Sequence, residues 1–175
     1  MPQNEILAEQ KATIVNAELS GLSADDLSQV AELLNACMDT IESAVMSHSG
    51  KIVHFIGTNF LAIFEGKKTE KENANVALNA LLEIQTKLNN FSEDQKTENP
   101  IGLSAGIATG EVIWGEAGLD NKRITLLGEA LEQAIKIKQI ANKGQVLTEK
   151  NTFSLCKGKF NFNRLEPIPV KGMEE

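Results

Sequence analysis

Few side chains in this 175-residue chain have the types and spacing to do chemistry unaided. The two histidines, His48 and His54, each lie far in sequence from any candidate nucleophile, so a Ser–His or Cys–His pair has no local footing. Cys37 and Cys156 are too few for a disulfide framework and have no ligand-like spacing to histidine. Cys37 falls on the apolar stripe of a helix and reads as a small core residue. Glu18 is a lone acid at a strand end. Thr58 and Asn59 sit at a hairpin tip that carries no charge, where turn chemistry accounts for both. Glu132 and Lys136 stand four apart in the order that favours an exposed helical ion pair. Lys122 and Arg123 offer a basic step for a phosphate, although a solvated loop explains them as well. A phosphate-binding loop, a nucleophile elbow, a zincin helix and a kinase signature are all absent. "EGKKT" lacks the upstream glycine and the strand-to-helix setting that a phosphate loop needs.

The elements that must position these residues follow from periodicity. "ATIVNAEL" (Ala12 to Leu19) is β-branched and predicts a strand. Ser23 offers an N-cap, with Asp25 and Asp26 in the first turn, for a helix whose apolar positions run Leu27, Val30, Leu34, Cys37, Met38, Ile41 and Val45 and close near Ser49 and Gly50. "KIVHFIGTNFLAIF" predicts two buried strands around a short turn. "EGKKTEKEN" reads as a loop into a second helix with Val76, Ala77, Ala80, Leu81, Ile84 and Leu88 on its apolar face. "FSEDQKTENP" reads as a loop ending in Pro100. "IGLSAGIATGEVIWG" predicts one or two strands broken by glycines, and "RITLL" a short one. Gly128 opens a third helix to about Ala141. "GQVLTE" and "KFNFNRLEPIPV" read as strands around a short helix, Lys150 to Cys156. Phe55, Phe60, Phe64 and Trp114 read as packing residues. The order β-α-β-β-α-β, followed by further β/α elements, predicts an α+β, ferredoxin-like core, because a hairpin inside it rules out a doubly wound parallel sheet.

Composition narrows the function classes. Residues 12–175 fit one domain, with residues 1–11 a linker or flanking segment and the whole cut from a longer chain. A net charge of −7 argues against a nucleic-acid groove. No apolar run reaches the length of a membrane span and no signal peptide opens the chain, so a reduced, cytoplasmic setting is expected.

Four blocks in a fixed order carry a resemblance to class III nucleotide cyclase domains, the adenylyl and guanylyl cyclases. "IVNAELSGLS" resembles the opening strand of that family, V-x-F-A-D-I-x-G-F-T. "GKIVHFIGTNFLAIF" resembles G-x-V-x-K-F-I-G-D-x-V-M-A-V-F, and "IGLSAGIATGEVIWGEAG" resembles L-R-I-G-I-x-T-G-x-V-x-x-G-x-x-G. "RITLLGEALEQAIKI" resembles D-Y-T-V-I-G-D-x-V-N-x-A-A-R-L, and "LEPIPVKGMEE" is similar to the family's tail. The resemblance runs from about Ala12 to the end and implies the same ferredoxin-like fold.

It also implies a site that has lost its parts. Active members hold two Mg²⁺ or Mn²⁺ ions on two aspartates, which bridge the ions and set the reacting oxygens in line. Those positions match Glu18 and Thr58, so one charge is kept on a longer arm and the other is gone. The partner subunit of the family's head-to-tail dimer supplies the remaining groups. The base-selecting positions match His54 and Thr125, the latter a choice some adenylyl-type members make. The ribose-orienting asparagine matches Glu132, which repels a polyanion. The arginine on the transferring phosphate matches Lys136, which lacks the bidentate fork. The resemblance therefore implies a catalytically degenerate domain used for dimerisation or regulation in a signalling protein. Its expected partners are a second copy or another cyclase-homology domain, and other domains of the same polypeptide. No cofactor is expected. A residual purine nucleotide cyclase using Mg²⁺ or Mn²⁺, or a sensor binding ATP or GTP without turnover, are the alternatives.

Overall fold

A computed structural model describes residues 7–23, 26–95, 99–117 and 123–166. The apolar run after Ala12 lies in a 13-residue strand, β1 (Ala8–Ser20), which begins four residues before the predicted start. Successive side chains of a strand point to opposite faces, and β1 is buried on both. Val15, Ala17 and Leu19 join one core cluster, and Ala12 and Ile14 join another. The β2 (Gly50–Ile56) and β3 (Asn59–Phe64) hairpin appears as predicted, with Gly57 at φ +60° in its turn. β1 pairs with β3 on one side and with β4 (Gly102–Ala117) on the other. The glycines of β4 do not divide it: one antiparallel register with β1 runs unbroken from Ser20 opposite Gly102 to Ala8 opposite Trp114.

The sheet order is β2-β3-β1-β4-β5, where β5 is Arg123–Leu127. The far edge of β4 is shared. β5 pairs with its C-terminal end, and the short β6 (Val146–Thr148) runs parallel to Ala105–Ile107. Between them, on that edge, the backbone of Thr109 meets neither strand, and side chains take over. Thr109 N–H donates to Glu149 Oε1 at 3.1 Å, and Asn151 Nδ2 donates to the Thr109 carbonyl at 2.9 Å. Buried backbone groups need such partners. The same Glu149 caps α4 (Lys150–Cys156), so one carboxylate closes both the helix and the gap.

Helices α1 (Leu27–Ser47), α2 (Glu70–Gln95) and α4 cover one face of the sheet, with Cys37, Ile41, Ala77, Leu81, Ile84 and Cys156 against Phe60, Phe64 and Leu103. Among the described helices, α3 (Glu129–Ile140) is the one on the other face, where Ala130 and Ala134 meet Ile14, Leu61, Ala108 and Val112. This is the α+β, ferredoxin-like core with added β/α elements that the element order predicts. α3 sits unusually close. A Cβ on Gly106 would stand 2.2 Å from the Ala134 carbonyl and 2.5 Å from Lys138 N, so only glycine admits the helix there. No helix among the described residues is long and apolar enough to cross a membrane.

Several local expectations are corrected. The cap of α1 is Asp26, whose Oδ1 accepts from Gln29 N at 2.9 Å, rather than Ser23; Asp25 lies outside the described residues. The expected loops at Glu65–Asn73 and Phe91–Pro100 are both shortened by helix, because α2 starts at Glu70 and continues to Gln95. The alternation Phe160, Phe162 is not a strand through Glu166. Both rings pack against the core, and Phe162 stands edge-on to Phe153 at 5.2 Å between centroids. The rest of the predicted closing strand, from Pro167, lies outside the described residues, as does Lys122.

Candidate functional site

β1 ends on the face that α3 covers, and its last inward carboxylate is Glu18. Sheet register sets Glu18 between Asn59 of β3 and Ser104 of β4. The hairpin tip is tied to this end of β1 by backbone: Leu19 N–H donates to the Thr58 carbonyl at 2.9 Å. Thr58 and Glu18 are thus neighbours in space although forty positions separate them. Asn59 is not a turn residue held at positive φ. Gly57 takes that conformation, and Asn59 opens β3.

The residue that completes this corner was not foreseen in the sequence. Lys138, in the last turn of α3, reaches down to the strand ends and donates both to Glu18 Oε2 and to Asn59 Oδ1, the latter at 3.0 Å. Its side chain is only 15% exposed, against 40% for Glu18, so the ammonium is the more enclosed partner. The signal existed, since Lys138 stands four after Ala134 and next to Ile137 on the buried stripe of α3. Glycine at position 106 then brings that stripe down to the sheet.

The remaining candidate residues do not gather at this corner. His54 is exposed on the edge strand β2, opposite Leu61. Thr125 is half-buried on β5 opposite Gly115, eleven positions along β4 from the Ser104 that faces Glu18. That is roughly 35 Å of extended strand. Glu132 is exposed on α3 and Lys136 is half-buried there. Arg123 begins β5. Within one chain, Glu18 and Thr58 therefore lie toward one end of the sheet and Thr125 toward the other.

The donor set at the corner can be tested against two divalent cations. Mg²⁺ takes six oxygen ligands in a strict octahedron, and a pair of such ions needs carboxylates between them to offset their repulsion. The corner offers one carboxylate, already engaged by an ammonium, with a neutral hydroxyl at Thr58 and one amide oxygen. Among the described residues no group of three or more His, Cys, Asp or Glu could hold a metal. The residues do not fit the ion pair. Nucleophilic chemistry by cysteine is also disfavoured, because burial pushes the Cys37 thiol up to about 11 and raises that of Cys156.

The profile of the adenylate and guanylate cyclase catalytic domain matches residues 12–175. Guanylate cyclase 2G of Mus musculus is 27% identical over 154 residues, 84% of this chain and 14% of that protein. The soluble guanylate cyclase gcy-31 of Caenorhabditis elegans is 22% identical over 147 residues, 82% of this chain and 21% of that one. The chain thus spans about a fifth or less of these relatives. The crystal structure of the adenylyl cyclase CyaB from P. aeruginosa superposes with a TM-score of 0.87 at 20% identity, covering 96% of this chain and 91% of that one.

Proposed function

The chain belongs to the adenylate and guanylate cyclase catalytic-domain family, and we propose that within it this is a degenerate domain kept for pairing and regulation rather than for making cyclic nucleotide. The observation that carries this reading is the corner at the end of β1. Where two metal-holding acids are expected, one is Thr58, and the other, Glu18, is bonded to Lys138. An enzyme of this chemistry must activate a ribose hydroxyl and neutralise a triphosphate, and one occupied carboxylate does neither. Glu132, exposed on α3, would add a negative charge beside a polyanion.

Pairing fits the same geometry. Thr125 and Glu18 occupy opposite ends of the sheet, so only a head-to-tail partner, a second copy or another cyclase-homology domain, would bring the two sets together. The setting is cytoplasmic, as part of a larger signalling polypeptide, and two buried free thiols suit it.

The test is a titration of the purified domain with ATP and GTP, with and without Mn²⁺, alongside an assay for cyclic product. No product above a denatured control is expected. Turnover would replace this reading with a residual purine nucleotide cyclase, and binding without turnover would make the domain a nucleotide sensor. Thr58→Asp is expected to leave the product at background, because a restored acid still faces Glu132, Lys136 and the Lys138 ammonium.

A further inference from the structure

The corner at the end of β1 attracts positive charge for three reasons. Glu18 contributes a carboxylate and Asn59 an amide oxygen. The third is α3, whose C-terminal turn closes over the corner, and the unpaired carbonyls at a helix C-terminus act as about half a negative charge. Some cation belongs there. We propose that the chain carries its own: the Lys138 ammonium is an internal replacement for the metal ion, leaving the domain independent of divalent cations and closed to them. This inference deepens the degenerate reading and rests on it only for the identity of the position.

An ammonium suits what remains of the donor set. It has three donors and needs no octahedron of oxygens, so one carboxylate and one amide oxygen go far to satisfy it. It is tethered, and so loses far less freedom on binding than a free ion would. A divalent ion arriving at Glu18 would have to displace Lys138 or lie against it, like charge on like charge, in a place where Lys138 is mostly shielded from water. The same contact pins three elements. Lys138 fixes the end of α3 to β1 and to the first residue of β3, so the helix carrying Glu132 and Lys136 is positioned without metal.

The experiment follows free Mn²⁺ by electron paramagnetic resonance during titration of four proteins: the wild type, Thr58→Asp, Lys138→Gln, and the double variant Thr58→Asp/Lys138→Gln. The wild type and Thr58→Asp should leave the free-ion signal unchanged, and the double variant should bind at least about tenfold more tightly than Thr58→Asp. Equal binding by the double variant and Thr58→Asp, wild-type binding as tight as the double variant's, or no binding by the double variant would each overturn the proposal. Lys138→Met replaces Lys138→Gln if circular dichroism shows that the glutamine protein is unfolded. The cyclic-product assay on the wild type is a separate readout. Turnover without bound Mn²⁺ would sink the degenerate reading and leave this one standing.

Discussion

At the scale of single residues, the contact between Lys138 and Glu18 has the asymmetry that makes an ion pair informative. Exposed pairs contribute little because water screens them, whereas removing one partner from an enclosed pair strands the other. Glu18 is 40% exposed and Lys138 15%, so the two truncations should differ. Glu18→Gln leaves the more enclosed charge with amide oxygens alone and is expected to cost about 1–2 kcal/mol in urea unfolding. Lys138→Met leaves a carboxylate that water reaches and should cost less. The double variant should cost less than the sum of the singles, with a coupling of about 1 kcal/mol. Strict additivity would show that the contact carries no weight. Thr58 contributes through its backbone: its carbonyl ties β1 to the hairpin, a contact that does not depend on which side chain stands at position 58.

At the scale of elements, most of the fold was legible in the sequence because apolar periodicity is strong where elements are buried on a face. The β2–β3 hairpin, β5 and α4 fall where "KIVHFIGTNFLAIF", "RITLL" and Lys150 to Cys156 place them. Glycine misled. In "IGLSAGIATGEVIWG" it suggests broken strands, but Gly106 is there for α3 and the pairing of β4 with β1 continues past it. Two glycines of β4 make a matched test. A Cβ at 106 would meet backbone at 2.2 and 2.5 Å, whereas one at 110 would meet only the Ala130 side chain, at an ordinary 3.6 Å. Gly106→Ala should therefore lift α3, cost about 2–3 kcal/mol or more, and loosen Lys138 from Glu18. Gly110→Ala should change stability by less than about 1 kcal/mol. Similar urea midpoints for the two variants would mean that the close approach of α3 is not what the glycine serves.

At the scale of the whole molecule, what the sequence could not disclose is what distant segments make together. Lys138 and Glu18 are 120 positions apart, and no periodicity links them. Nor did spacing reveal that Thr125 and Glu18 lie toward opposite ends of β4, which is the fact that turns a list of matched positions into an argument for a pair. The proposed pairing has a candidate surface at the Thr125 end. Ile124 and Leu127 of β5 are 46% and 55% exposed, and Ile113 of β4, directly opposite Leu127, is 40% exposed. Aliphatic side chains exposed on both faces of that sheet edge, Ile113 and Leu127 on one and Ile124 on the other, favour burial against a partner, at about 25 cal/mol per Å² removed from water. Sedimentation equilibrium of the isolated domain should thus show a mass that rises with concentration from 19.0 kDa toward twice that value. Ile124→Lys should hold it at the single-chain mass, because a lysine there would meet apolar surface across the interface and lose its water. The substitution lies at the opposite end of the sheet from the β1 corner, on an exposed side chain, so its unfolding midpoint should stay near that of the wild type. A domain that remains at 19.0 kDa throughout would leave pairing to a different cyclase-homology partner, and Ile124→Lys should then weaken that complex instead. Self-association unaffected by Ile124→Lys would move the interface elsewhere on the sheet and remove the head-to-tail arrangement from the reading.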